Sequence, residues 1–157
     1  MTTEAIKGIF DTAEAKRREA DEARKALAEV MLNAMRNLLP AGTVLKLDQR
    51  PLPEWLVHVR TMSGNDRGTR TFRIVNVLTV DADASAPELS KWIADAVPVS
   101  EKTGKDMSGA THGGNSRGTV RLHGNMGWLA HDEPVEASRD RIIALVADNQ
   151  TDAGAAA

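Results

Sequence analysis

From Glu4 to Leu39 the chain has no proline and a single glycine, Gly8, and most of its residues are strong helix formers. Such a stretch is expected to form one helix, capped by Thr2 or Thr3 and stopped by Pro40. At 1.5 Å per residue it spans about 54 Å, longer than a compact domain of this chain length needs. Its two halves differ. Leu27, Val30, Met31, Ala34, Met35 and Leu38 make a continuous apolar stripe suited to packing on a sheet. Before Leu27 the seam is thin (Ile6, Phe10, Ala13, Ala20, Ala23) and broken by Arg17 and Arg24. Glu14–Arg18 and Asp21–Lys25 lie one turn apart with the acid first, as in a solvated helix. Two readings follow: an exposed arm, or a helix that docks on a partner or a second copy. Ile6, Ile9 and Phe10 are bulky for an unattached end.

Beyond Pro40 the pattern shifts to short segments. Gly42 to Leu47 is a strand candidate. Trp55 to Met62 and Arg70 to Val80 are the strongest, being rich in β-branched residues. The turn-rich link Ser63 to Thr69 suggests that these two form an antiparallel hairpin. Pro87 to Ala96 reads as a helix with Leu89, Trp92, Ile93 and Ala96 on one face and Pro98 as its stop. Residues 99–117 are polar and Gly/Ser-rich, a mobile-loop composition. Gly118 to His123 is a further strand. Asp132 or Glu133 opens a last helix, with Pro134 in its first turn and Val135, Ile142, Leu145 and Val146 facing inward. The expected fold is α+β in the order α-β-β-β-α-β-α, with a small antiparallel sheet built on the central hairpin. Residues 1–40 would form the long helix, 41–150 the domain and 151–157 a disordered tail.

Composition narrows the function classes. The absence of cysteine excludes disulfides, thiolate chemistry and cysteine-ligated metals. No apolar run is long enough to span a membrane, and the first residues lack a secretory pattern, so a cytoplasmic protein is expected. The net charge of −2 conceals a basic stretch, residues 43–80, with six basic against three acidic side chains. An anionic partner would have to meet a local patch. Three Trp, two Phe and no Tyr argue against a base-stacking platform.

The most informative signal is an internal echo. Gly64-Asn65-Asp66-Arg67-Gly68-Thr69 recurs as Gly114-Asn115-Ser116-Arg117-Gly118-Thr119, and each copy leads into a strand with a second arginine close behind, Arg70 or Arg121. Glycine-hinged turns can aim consecutive N–H groups at an anion, and an adjacent guanidinium adds a fork suited to phosphate or carboxylate. The same residues are also what any tight turn uses. Strand alternation adds a second signal. If Trp55, Val57 and Val59 face the core, His58 and Arg60 face out. Phe72, Ile74, Leu78 and Val80 would lie opposite Arg73, and Val120 and Leu122 opposite Arg121 and His123. Neighbouring strands would then expose a basic face. Val75, Val77 and Met62 dilute it, and acids such as Glu88, Asp95, Glu133 or Glu136 are available to neutralise it. The candidate ligand-binding residues are Arg60, Asn65, Arg67, Arg70, Arg73, Asn115, Arg117, Arg121 and His123.

No metal site is expected, because His123, His131 and Asp132 match no ligand spacing. No nucleophile elbow, Walker loop or dinucleotide fingerprint is present, so no catalytic residue or cofactor is assigned. Ser63-Gly64 with Arg67 or Arg70, the predicted helix Leu89–Ala96 and Asn125-Met126-Gly127-Trp128 together resemble a group of small uncharacterised proteins encoded by tailed phages. The chain departs from that pattern in having Asn125 for an aspartate, a longer Gly-rich insertion and the extended N-terminal helix. The resemblance implies phage or prophage origin and no defined activity. Met126 and Trp128 also fit simple packing at a strand–helix corner. The expected function is a non-enzymatic binding protein for an anionic ligand: a nucleotide, a nucleic-acid backbone or an acidic protein surface. The alternative is an assembly protein that oligomerises through the first helix.

Overall fold

The computed structural model describes residues 1–48, 56–61, 69–107, 119–126 and 135–150. Helix α1 runs unbroken from Thr3 to Leu38. The hydroxyl of Thr2 accepts the Ala5 N–H at 3.1 Å, satisfying one of the donors that every helix start leaves unpaired. At the other end the Leu39 N–H bonds the Met35 carbonyl, and Pro40 has no N–H with which to continue. Arg18 pairs with Glu14 at 2.8 Å as expected, but Asp21 takes Arg17 at 3.0 Å rather than Lys25, both lying one turn away. The helix changes character near Leu27. Met1 to Ala20 and Glu22 to Ala26 are exposed, whereas Met31, Ala34 and Met35 are at most 2% exposed.

Five strands form one antiparallel, curled sheet: β1 (Val44–Lys46), β2 (Leu56–Thr61), β3 (Thr71–Asp81), β4 (Lys91–Pro98) and β5 (Val120–Met126). Their order is β1-β3-β4-β5-β2. Among the described residues, helix α2 (Val135–Asp148) comes last. The α+β class and the long leading helix stand as read from the sequence. The pairing does not. β2 was expected to form a hairpin with β3, but it pairs with β5 on the far edge. A strand has two edges, and both of β3's are taken, by β1 and β4.

β4 is the reason, because it is the segment that read as a helix. A single 3-10 turn, Pro87–Leu89, precedes it, and from Lys91 onward the chain is extended. Trp92 and Ala96 lie four residues apart and share a face in a helix, but they also share one in a strand, with Ala94 between them. All three are fully buried in the core. Ala-rich composition favours a helix only weakly, and pairing on both sides overrides it. The polar stretch that follows is ordered at its start. Residues 99–106 fold back on themselves through a Val99–Asp106 bridge, and Gly104 takes φ +70° in the turn. Residues 108–118 lie outside the described set.

Helices cover one face of the sheet. Met31, Ala34 and Met35 of α1 and Ile142 and Val146 of α2 join Phe72, Ile74, Val77, Trp92, Leu122 and Met126 in one core. Leu145 is half-buried. Met126, at 1% exposed, is a packed strand residue because β5 extends through Gly124 and Asn125. β3 carries register shifts between Ile74 and Asn76 and between Val77 and Thr79. Each adds a residue and breaks strict alternation. Val77 is therefore the buried residue, and Leu78, expected in the core, is half-exposed. The Val77 carbonyl accepts from Arg36 Nε of α1 at 3.0 Å, tying the helix to the irregular strand. Among the described residues the opposite face is exposed at Val44 (50%) and Val75 (38%) but covered at Val97, 9% exposed and opposite Arg73.

Candidate functional site

The open face owes its charge to β2, β4 and β5. β2 meets β5 with Leu56 opposite Met126 and Val57 opposite Asn125, then Arg60 opposite His123. His58 and Val59 thus share one partner position, a bulge, and His58 takes φ +55° there. This slip corrects the expected faces. Leu56 is the buried residue before the bulge, and Val59 packs against the core after it, which sends Arg60 outward. Trp55 lies outside the described residues. Across the sheet, Ile93, His123 and Arg60 make one row, Lys91 lies opposite Asn125, and Asp95 lies opposite Arg121.

Arg60, Lys91 and Arg121 are exposed around a half-buried His123. Burial holds the His123 imidazole below its usual pKa, and the nearby charges of Arg60 and Lys91 push it the same way. It is the neutral member of a cationic cluster. Among the described residues, neither Arg60 nor Lys91 is in an ion pair. Arg121 faces Asp95 at 3.6 Å, too long for a hydrogen bond, and the buried Asp95 Oδ1 has no hydrogen-bond partner among the described residues. A nucleotide, sulfate or acidic side chain could meet two cations without ion-pair partners among the described residues, plus an imidazole that donates from one ring nitrogen when neutral and from both once protonated.

The other candidates divide. Arg73 grips Asp106 with two hydrogen bonds, at 2.6 and 3.3 Å, and so fastens the 99–106 turn to β3. That bonding raises the Arg73 pKa and lowers that of Asp106. Arg70 pairs with Asp48 at 3.2 Å beside a cleft of about 430 Å³ that Lys46, Thr71 and Glu101 also line. Both arginines are struts with carboxylate partners. Asn65, Arg67, Asn115 and Arg117 lie outside the described residues, so the body of each repeated loop does too. The ends of those loops are described. Thr69 and Thr119, the last residues of the two copies, are both buried, at 5% and 9% exposed. The Thr69 hydroxyl donates to the Val99 carbonyl at 2.8 Å, so this position of the motif anchors a strand start.

β3 and β5 each run antiparallel to β4, hence parallel to one another. Both copies therefore join the sheet at the same end, two strand spacings apart, about 10 Å. Sequence reasoning missed Lys91, Ile93 and Asp95 as open-face residues because their segment read as a helix. Asp95 had been named as a neutralising acid, and it does face Arg121, but from a neighbouring strand. Among the described residues no group of His, Asp and Glu could hold a metal ion. Nor, among the described residues, is any helix long and apolar enough to cross a membrane. No protein-family model matches the chain, and the searches of curated proteins and of solved structures found no match.

Proposed function

We propose that this chain is a non-enzymatic binding protein that engages an anionic ligand across the open face of β4, β5 and β2 and the loops at its end. One observation supports the reading: both copies of the Gly-Asn-x-Arg-Gly-Thr motif lead into the same end of the sheet, and Arg60 and Lys91, exposed and without an ion-pair partner among the described residues, stand on the face away from the helices. Arg60, Arg121 and His123 form the centre of the site, and Asn65, Arg67, Asn115 and Arg117, outside the described residues, belong to the same proposal as ligand-binding residues. Arg70 and Arg73 serve the scaffold. A nucleotide, a nucleic-acid backbone or an acidic protein surface all present the required anionic oxygens. A host-cytoplasm setting, as the resemblance to tailed-phage proteins implies, belongs to the same proposal.

The test is a titration with nucleoside triphosphates and short DNA at low and high salt, on the parent chain and on Arg60→Ala/Arg121→Ala. Binding that weakens steeply with salt and drops at least tenfold in the variant supports the reading. No binding of either probe at low salt removes the nucleotide and nucleic-acid classes. Assembly through α1 is a second reading, favoured by a different observation: Ile6, Ile9 and Phe10 at the helix tip are 42%, 56% and 71% exposed.

A further inference from the structure

Resting on that second reading, we propose that α1 pairs antiparallel with α1 of a second copy, each apolar tip filling an apolar groove at the base of the other arm. Along the helix, Ile6, Ile9, Ala13, Lys16, Ala20, Ala23, Leu27 and Val30 recur at alternating steps of three and four. That is the spacing of a two-helix seam, and Lys16 alone interrupts it. The face is exposed along the arm and turns into the packing face of the body from Leu27 onward. At that junction Leu27, Val30, Ala84, Pro87, Ile143 and Ala147 line a groove of about 340 Å³. Val30 is 43% and Ile143 50% exposed there.

The seam specifies its own register. In an antiparallel pair, Ile6 meets Val30 of the second copy, Ile9 meets Leu27, Ala13 meets Ala23 and Lys16 meets Ala20. Sliding by one heptad either way leaves the bulky residues at one end of the seam uncovered. Lys16 then faces a small residue, which leaves room for its stem to bend outward and keep the ammonium in water. Phe10, beside the seam, falls opposite Arg24 of the second copy, a cation–π partner. A parallel pair would set Lys16 against its own copy and bring both sheets to the same end. The contact strip from Ile6 to Val30 is about 36 Å long, and half the girth of a helix is about 17 Å, so roughly 1,200 Å² would be buried over both copies. That reaches the lower bound for a stable interface.

Sedimentation velocity and spin-label distances on the full chain decide the matter. The chain has no cysteine, so Lys7→Cys and Glu14→Cys each carry one label, on the outer side of the seam. Antiparallel pairing predicts separations along the axis of about 33 Å at position 7 and about 12 Å at position 14. Ile9→Asp, at a position exposed in the single copy, is expected to weaken the dimer at least tenfold while leaving its fold intact. A dimer with equal separations at both positions, or one unaffected by Ile9→Asp, overturns the arm pairing but leaves assembly through another surface standing. A monomer at every concentration overturns both.

Discussion

At the residue scale, the molecule treats its basic side chains in two ways. Arg70 and Arg73 hold loops, whereas Arg60, Lys91 and Arg121 surround a histidine kept neutral. His123 has a folded pKa below its ordinary 6.5, so the folded state disfavours the proton that the unfolded chain accepts. Stability present above the unfolded value is therefore lost as the pH falls through that value toward the folded one. His123→Gln should lose less stability than the parent as the pH falls through 6.5, as urea midpoints would show. Binding of an anion beside Arg60 and Lys91 should raise the His123 pKa, readable as a shift of its imidazole NMR titration. Asp106 has a depressed folded pKa and works in the same direction at lower pH. Its contribution is present above the unfolded carboxylate value and disappears as acid protonates it. Asp106→Asn should cost less than about 1 kcal/mol at neutral pH, because both partners are more than a third exposed, and nothing in strong acid. The basic residues at this scale were legible because strand alternation named Arg60, Arg121 and His123. The partners of Arg70 and Arg73 were not, since Asp48 and Asp106 are brought to them by folding.

At the element scale, α1 was fully readable and β4 was not. A run of 36 helical residues with one glycine leaves little alternative, and its boundaries coincide with Thr2 and Pro40. Thr2→Ala removes the N-cap, worth about 1 kcal/mol locally. Because the first turns are exposed, the loss should appear as faster amide exchange at the tip with no change in the global urea midpoint. Met35→Ala, at a fully buried position on the same helix, should instead cost about 2–5 kcal/mol of global stability. β4 shows the ambiguity of short apolar runs. Trp92 and Ala96 fit a helix and a strand equally, and Ala94 weighs little in either pattern. The bulges of β2 and β3 are hidden for a related reason. A bulge is a mismatch in register between two paired strands, so the sequence of the segment that carries it need show no sign of it.

At the scale of the whole molecule, one body carries two separable surfaces: the open sheet face and the projecting arm. A chain starting at Ala26 removes residues that pack on nothing among those described. It should keep its far-UV signature for the sheet and its urea midpoint, while losing any self-association. Regional charge behaves similarly. The net charge of −2 says little, because the described cations of 43–80 divide between the struts Arg70 and Arg73 and the exposed strand residues Lys46 and Arg60.

What the chain by itself determined was local. Helix propensity, caps and the lack of cysteine made α1, the α+β class and the excluded chemistries readable, since each depends on neighbours within a turn or two. Tertiary structure decided which strands meet, because edge pairing is a competition among all strands at once. That competition placed β2 beside β5 and turned 91–98 into a strand. It also brought Thr69 and Thr119, the last residues of the two repeated motifs, to one end of the sheet, a relation between residues fifty positions apart that no local pattern encodes.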